Sequence, residues 1–284
     1  MTSRATVLTT LAACLTLAAA VAAVLIIEES VGAEPASRSS EVAAGPATLE
    51  PSPVGTGKLP TSDLGSDAER ASKGSGQTEL AVPAGSHALI WVRQGERIPV
   101  RTEPRGGEVV EVVDRRTEFR SPTVFGVVRE QDGWAAVTTA KLPNGQLGWI
   151  RLDGDRLKAG STRMSIVVDL SERVAELRDG AKSLRSFAVT VGAPGMETPT
   201  GQFAVTDTFR GGSLNPVYGC CALALSATQA SLPSGWLGGN RIAIHGTTEA
   251  LGTAASHGCV RAADSDVSAL VKGVPLGTPV FIRN

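Results

Sequence analysis

MSIVVDLSERVAELRDGAKSLRSFAVTVG, from Met164 to Gly192, decides the fold. It reads as three extended segments, rich in Val, Ile, Leu and Phe and broken by polar residues. Asp179-Gly180 stands between the second and third segments, and an Asp-Gly pair between alternating apolar runs is a strong short-range hairpin signal. A chain that turns back on itself this tightly builds sheet, not helix.

The pattern continues towards the C-terminus. TPTGQFAVTDTFR, CCALALSA and RIAIHGT supply further strands, and TPVFIRN closes the chain as another. One stretch is convincingly helical, DSDVSALVKG. Asp264 is placed to cap it, Val267, Leu270 and Val271 form its apolar stripe, and Gly273 ends it. The expectation for residues 161–284 is a β-sandwich with one short helix.

The region before it is also β-rich. ALIWVR, RIPVRTEP, GEVVEVV, VFGVVREQ and GWAAVTT read as short strands, and LPNGQLGWIRL carries an Asn144-Gly145 turn between extended segments. So many strands between residues 86 and 160 suggest a small barrel. No cluster of titratable groups lies here, so a spacer or docking role is preferred to catalysis. Trp91, Trp134 and Trp149 are read as packing residues in preference to ligand platforms.

The N-terminus is different. From Ala5 to Ile27 there is no charged residue, and Glu28 and Glu29 end the run. A bilayer core needs about 20 apolar residues in a helix. With Arg4 on the near side, residues 1–30 are expected to anchor the chain in a membrane and leave the rest outside it. The alternative is a cleaved signal with Val31-Gly32-Ala33 as its cleavage site. Both readings export the chain. Residues 31–85 are rich in Ser, Gly, Ala, Pro and Glu with scattered Val and Leu, too few to offset the ordering entropy, so a disordered tether is expected. Such a tether would reach on the order of 40 Å.

The formal charge is −1 and aromatic residues are only 4% of the chain. With no basic patch, nucleic acid is excluded as a natural partner.

The chemistry concentrates in HGTTEALGTAASHGCVR, His245 to Arg261, which holds two of the three histidines and one of the four cysteines. A thiol here could be half of a disulfide, a metal ligand or a nucleophile. Outside the anchor there are three cysteines, Cys220, Cys221 and Cys259, so at least one lacks an intramolecular partner. Cys220 and Cys221 are neighbours in an expected strand and should point to opposite faces. They are read as small apolar strand residues, with a bridge from Cys259 to either left open. Zinc is disfavoured because structural sites bring ligands in close pairs, and the two histidines are not so paired.

The nucleophile reading explains more of the stretch. Imidazole or cationic neighbours lower a thiol's pKa. In RIAIH, Ile242 and Ile244 face one way and His245 the other. His257 shares the side of Cys259 in an extended turn. Gly258 permits close approach of a substrate, the amides around Cys259 could form an oxyanion hole, and Arg261 could hold a carboxylate at two points.

The stretch resembles the signature of the L,D-transpeptidase family, the YkuD-type domain: His245-Gly246, then Ser256-His257-Gly258-Cys259-Val260-Arg261. Upstream, VGAPGMETPTGQF is similar to that family's Thr-Pro-x-Gly-x-Phe strand at Thr198, Pro199, Gly201 and Phe203. The likeness covers about Met164 to Asn284. Two departures stand out. Ala262 occupies a place where Leu or Met usually follows the arginine, and Cys220 and Cys221 replace larger residues after Tyr218-Gly219. The segment SPTVFGVVREQDGWAAVTTAKLPNGQLGWIRLDGD also resembles the SH3-like β-module that precedes the catalytic domain in many actinobacterial wall enzymes.

The resemblance implies roles. Cys259 is the acylated nucleophile. His245 is the general base, oriented by the Gly246 carbonyl. His257 supports the loop and the oxyanion, together with Gly258. Ser256 and Arg261 organise the pocket. Tyr218 is either a substrate-side residue or a hydrogen-bonded core tyrosine. A mobile flap is expected in FRGGSLNPVYG, bending at Gly211 and Gly212. The implied reaction is peptidoglycan cross-linking: Cys259 attacks a tetrapeptide stem at its third residue, releases D-alanine and passes the acyl group to an amine, giving a 3→3 link. Carbapenems would acylate the same thiol, and neither cofactor nor metal is required. Rival readings are an L,D-carboxypeptidase, a D-amino-acid exchange enzyme, a ligase joining another partner to the stem, or a wall-binding module without activity.

Overall fold

The computed structural model describes residues 80–210, 215–236 and 239–284. The expected anchor, the tether up to residue 79, and Gly211 and Gly212 of the expected flap lie outside these residues. Among the described residues no helix is long and apolar enough to cross a membrane.

The stretch that opened the sequence reading forms β8 (Met164–Asp169), β9 (Val174–Asp179) and β10 (Lys182–Ala188) in the second of two sheets. Asp179 pairs with Lys182, so the β9–β10 hairpin closes over Gly180-Ala181. Alternation decides which side chains go inward: Ile166, Val168, Ala175 and Leu177 are buried, as the period of two requires. In β10 the first three residues are exposed, and only Phe187 reaches the core. That suits its place at the sheet edge.

The first module contributes β1 (His87–Val92), β2 (Ile98–Arg101), β3 (Val109–Val113), β4 (Val124–Gln131), β5 (Trp134–Thr138), β6 (Leu147–Arg151) and β7 (Leu157–Thr162). Its sheet runs β3-β2-β6-β5-β4-β1-β7. Among the described residues no ladder joins the edges β3 and β7. Its core is built on Ile90, Val100, Val137 and Ile150, and Leu80 packs against it. Leu80, within the expected tether, is thus packed, and its amide also donates to Glu130.

The Asn144-Gly145 turn is present, with the Gln146 amide on the Pro143 carbonyl, but β5 and β6 first pair at Thr138 and Leu147. The loop between them is longer than a tight hairpin because Asn144 is used elsewhere. Its amide group donates to the Thr228 carbonyl at 2.6 Å and accepts from the Thr228 amide at 3.0 Å, which ties the first module to the second.

The remaining strands are β11 (Val191–Gly192), β12 (Gly201–Arg210), β13 (Cys221–Thr228), β14 (Arg241–Thr247), β15 (Ala254–Ser256), β16 (Val260–Ala263) and β17 (Pro279–Arg283), with helix α1 (Asp264–Gly273). The large sheet runs β10-β9-β8-β17-β12-β13-β14-β16. Strand β12 is shared: Gly201–Ala204 pairs with β17, while Val205–Arg210 pairs with β13 across a register shift. One apolar cluster joins Ile166, Phe203, Leu223, Ile244 and Leu270 of α1. Among the described residues this is a mostly β architecture with a single α-helix, as the sequence implied.

Two expectations are corrected. Cys220 lies in a turn ahead of β13 and is joined to Cys221 by a disulfide between adjacent residues. Because Cys220 is outside the strand, the rule that neighbours face opposite ways does not separate the two sulfurs. Cys221 is buried at the edge of the core. Asp264 does not cap α1: Ala263 holds the N-cap position with no side-chain cap bond, and the Asp264 carboxylate turns to the Cys220 amide instead.

Candidate active site

Strand β14 sets the site. Ile242 and Ile244 enter the core, so Ala243 and His245 face the other way. Parallel pairing with β16 then places His245 opposite Arg261 and Ile244 opposite Val260. Cys259 immediately precedes β16, near the backbone of Ala243.

His245 is only 3% exposed. Its Nδ1 lies 2.8 Å from the Gly246 carbonyl oxygen. A carbonyl only accepts, so Nδ1 carries the proton and Nε2 keeps its lone pair. Burial holds the imidazole below its ordinary pKa; the Gly246 bond opposes this in part, and the Arg261 charge reinforces it. The ring is therefore a neutral base near neutral pH. Tyr218, at the end of a 3-10 turn at Pro216–Tyr218, packs edge-on against it with centroids 5.0 Å apart.

Cys259 is the one free cysteine among the described residues. Burial pushes its thiol up, more than the Ala243 bond and the Arg261 charge bring it down. The resting sulfur is thus a thiol, contrary to the simple expectation that its neighbours lower its pKa, because removal from water dominates.

The loop carrying Cys259 is held at every carbonyl. Ser256 Oγ donates to the Cys259 carbonyl at 2.6 Å and accepts from the Gly258 amide at 3.1 Å. The Ser256 carbonyl accepts from the Ala193 amide, the His257 carbonyl from Gln229 Nε2, and the Gly258 carbonyl from Thr198 Oγ1 at 2.9 Å. Thr198 belongs to the Thr-Pro-x-Gly-x-Phe stretch, so that motif is physically joined to the thiol loop.

The glycines here are required by close approach. A Cβ on Gly258 would stand 2.3 Å from Gln229 Nε2, and its φ is +107°. What approaches Gly258 within the chain is Gln229. A Cβ on Gly246 would lie 2.0 Å from Asp264 Oδ1. The Gly258 amide, already bonded to Ser256, is not a free oxyanion donor.

Arg261 pairs with Glu249, so the carboxylate it holds belongs to its own chain. Its backbone exchanges two hydrogen bonds with Thr190. His257 is exposed and its ring packs on Trp236, centroids 4.9 Å apart. Sequence reasoning missed Glu249, Gln229, Trp236 and the Asp264 contact. Glu249 had a signal, as the one acid between the two histidines; Gln229 and Trp236 had none. No group of three or more His, Cys, Asp or Glu side chains comes together among the described residues.

Residues 163–282 match the family model of the YkuD L,D-transpeptidase catalytic domain. A comparison with curated protein sequences finds no match. Among solved structures, the chain is similar to an L,D-transpeptidase from Xylanimonas cellulosilytica, at 23% identity over 42% of this chain and 60% of that one, TM-score 0.32. It is also similar to one from Stackebrandtia nassauensis, at 19% identity over 43% of this chain and 55% of that one, TM-score 0.32. A third is from Mycobacterium tuberculosis, at 16% identity over 49% of this chain and 72% of that one, TM-score 0.35. The chain thus spans little more than half of the first two.

Proposed function

We propose that the protein is a peptidoglycan L,D-transpeptidase that works through a thioester on Cys259. The observation that carries this reading is the parallel pairing of β14 with β16, which sets the strand of the oriented His245 imidazole alongside the strand that follows Cys259. Ser256, Gln229 and Thr198 fix the loop, and the Gly246 carbonyl fixes the tautomer of His245.

With the thiol held up and the imidazole held down in pKa, attack calls for proton transfer from Cys259 to His245. His245 Nε2 takes the thiol proton as sulfur adds to the carbonyl of the third stem residue. The imidazolium then returns that proton to the departing D-alanine amine as the tetrahedral intermediate collapses to the thioester. An acceptor amine reverses the sequence and leaves a 3→3 cross-link. The Gly258 carbonyl points to Thr198, and a trans peptide sends the Cys259 N–H the opposite way. That amide is the donor this reading assigns to the oxyanion. Tyr218 and Trp236 flank the thiol loop as substrate-side surfaces, and His257 steadies Trp236. Arg261, paired with Glu249, serves the loop's electrostatics.

The chain would act on stem peptides at the outer face of the membrane, held by its N-terminal segment. Carbapenems would acylate Cys259. Incubation with a disaccharide-tetrapeptide and mass analysis tests the reaction. A dimer lacking one D-alanine supports cross-linking, and a monomeric tripeptide alone assigns L,D-carboxypeptidase activity. An unchanged substrate with Cys259 reduced removes the enzyme assignment.

A further inference from the structure

We propose that the cavity between the two modules is a binding site for an alkylammonium group, such as a lysine-type side chain or a diamine. This stands apart from the chemistry assigned to Cys259. The cavity holds about 220 Å³ and is lined by residues of both modules, among them Thr123, Phe125, Thr138 and Asp207.

Asp207 is only 1% exposed. One of its oxygens accepts the Thr117 hydroxyl, and the other, Oδ2, has no partner among the described residues. The hydroxyls of Thr123 and Thr138, 6% and 8% exposed, are also buried and unpartnered. Buried polar atoms are nearly always hydrogen-bonded, and each exception calls for a cause. Here three exceptions line one cavity.

Charge selects the ligand class. Glu118, on the same cavity, is matched by Arg241 at 2.7 Å and Lys141 at 3.7 Å. Glu111 and Asp114 also line the cavity without an ion pair but reach solvent; Asp207 is the buried carboxylate there, and it has no ion pair among the described residues. A neutral polyol would satisfy the hydroxyls but leave a buried charge uncompensated. A hard metal ion takes six or more oxygen ligands, usually with several carboxylates, and no such cluster forms among the described residues. An ammonium brings one positive charge and three N–H donors, which suits one carboxylate oxygen and two hydroxyl oxygens. Val124, Phe125 and Ala204 give the methylene stem an apolar wall.

Calorimetry on the full-length protein tests this, with Nα-acetyl-lysine amide and cadaverine as probes. Nα-acetyl-norleucine amide supplies the stem without the charge, and calcium and glucose supply the rival chemistries. Binding of either amine supports the site; acetyl-lysine amide alone marks a peptide-borne amine, and cadaverine alone a free diamine. Asp207→Asn should raise the amine Kd by about ten- to a hundredfold, the range for losing a charged hydrogen bond. Thr123→Val and Thr138→Val should each raise it several-fold, and they decide the matter if Asp207→Asn does not fold. The proposal is overturned if neither amine binds, if norleucine amide binds as tightly, if calcium or glucose binds instead, or if amine binding ignores all the substitutions that fold.

Discussion

The Asp264 carboxylate accepts the backbone N–H of Cys220 at 3.0 Å, across a gap kept open by Gly246. The contact joins the first residue of α1 to the turn that carries the disulfide, directly after Tyr218 and Gly219. Tyr218 in turn packs on His245. One acid thus links the helix, the disulfide turn and the wall of the site.

Asp264→Ala should lower stability by about 1.5–3 kcal/mol, the range for a hydrogen bond to a charged group. Asp264→Ser should lower it as much, because a short hydroxyl does not reach the Cys220 amide. Urea unfolding of both variants checks this. Recovery in the serine variant would return Asp264 to the helix-capping role that its sequence position suggested.

Ser256→Ala removes one hydroxyl that both closes on the Cys259 carbonyl and receives the Gly258 amide. The loop should loosen, and a misplacement of about 1 Å costs on the order of a hundredfold in rate. Carbapenem acylation should slow by roughly that factor while the circular dichroism spectrum is kept. An unchanged acylation rate would show that the loop is held without Ser256.

The pH dependence follows from the two shifted groups. Burial raises the Cys259 thiol, so its alkylation by iodoacetamide should keep rising above the free-thiol value of about 8.5. His245→Asn should slow acylation by about 10²–10⁴-fold near neutral pH, the usual contribution of a positioned base, and recover in part at alkaline pH. His257→Asn should cost less, because that ring is exposed on Trp236. Alkaline recovery in His257→Asn and none in His245→Asn would exchange the two roles.

Stability carries a matching signature. The folded pKa of His245 lies below its unfolded value of about 6.5. As pH falls below that value the unfolded chain takes up a proton that the folded chain refuses, so stability drops until the pH passes the lowered folded pKa. His245→Asn lacks this component, and its melting temperature should fall less between about pH 7 and pH 5. Parallel curves for the two proteins would contradict the burial of a neutral imidazole.

The Cys220–Cys221 bridge predicts a non-reduced peptide lighter than its reduced form by the mass of two hydrogens. Digestion without reductant, under acid to prevent exchange, measures this. A peptide with two alkylated thiols would remove the bridge.

Periodicity made the strands legible: Ile166, Val168, Ile242 and Ile244 alternate inward as their spacing required. The helix face of Val267, Leu270 and Val271 was equally plain. What sequence could not carry was contact between distant segments. Gln229 reaches the His257 carbonyl from another element, and nothing around it in the chain marks that. Asn144 is a turn residue, as its place before Gly145 implies, yet its clamp on Thr228 exists only once the modules meet. Cys220 stands one residue ahead of β13, a boundary that the mostly apolar run from Cys220 to Ala227 does not mark.

Intact-mass spectrometry of the protein mixed with a disaccharide-tetrapeptide donor tests the central claim most directly. The account predicts an adduct equal to the donor minus D-alanine on the wild type, mapped to Cys259 and absent from Cys259→Ala. An adduct that survives in Cys259→Ala, or a fully reduced wild type that forms none, would contradict it.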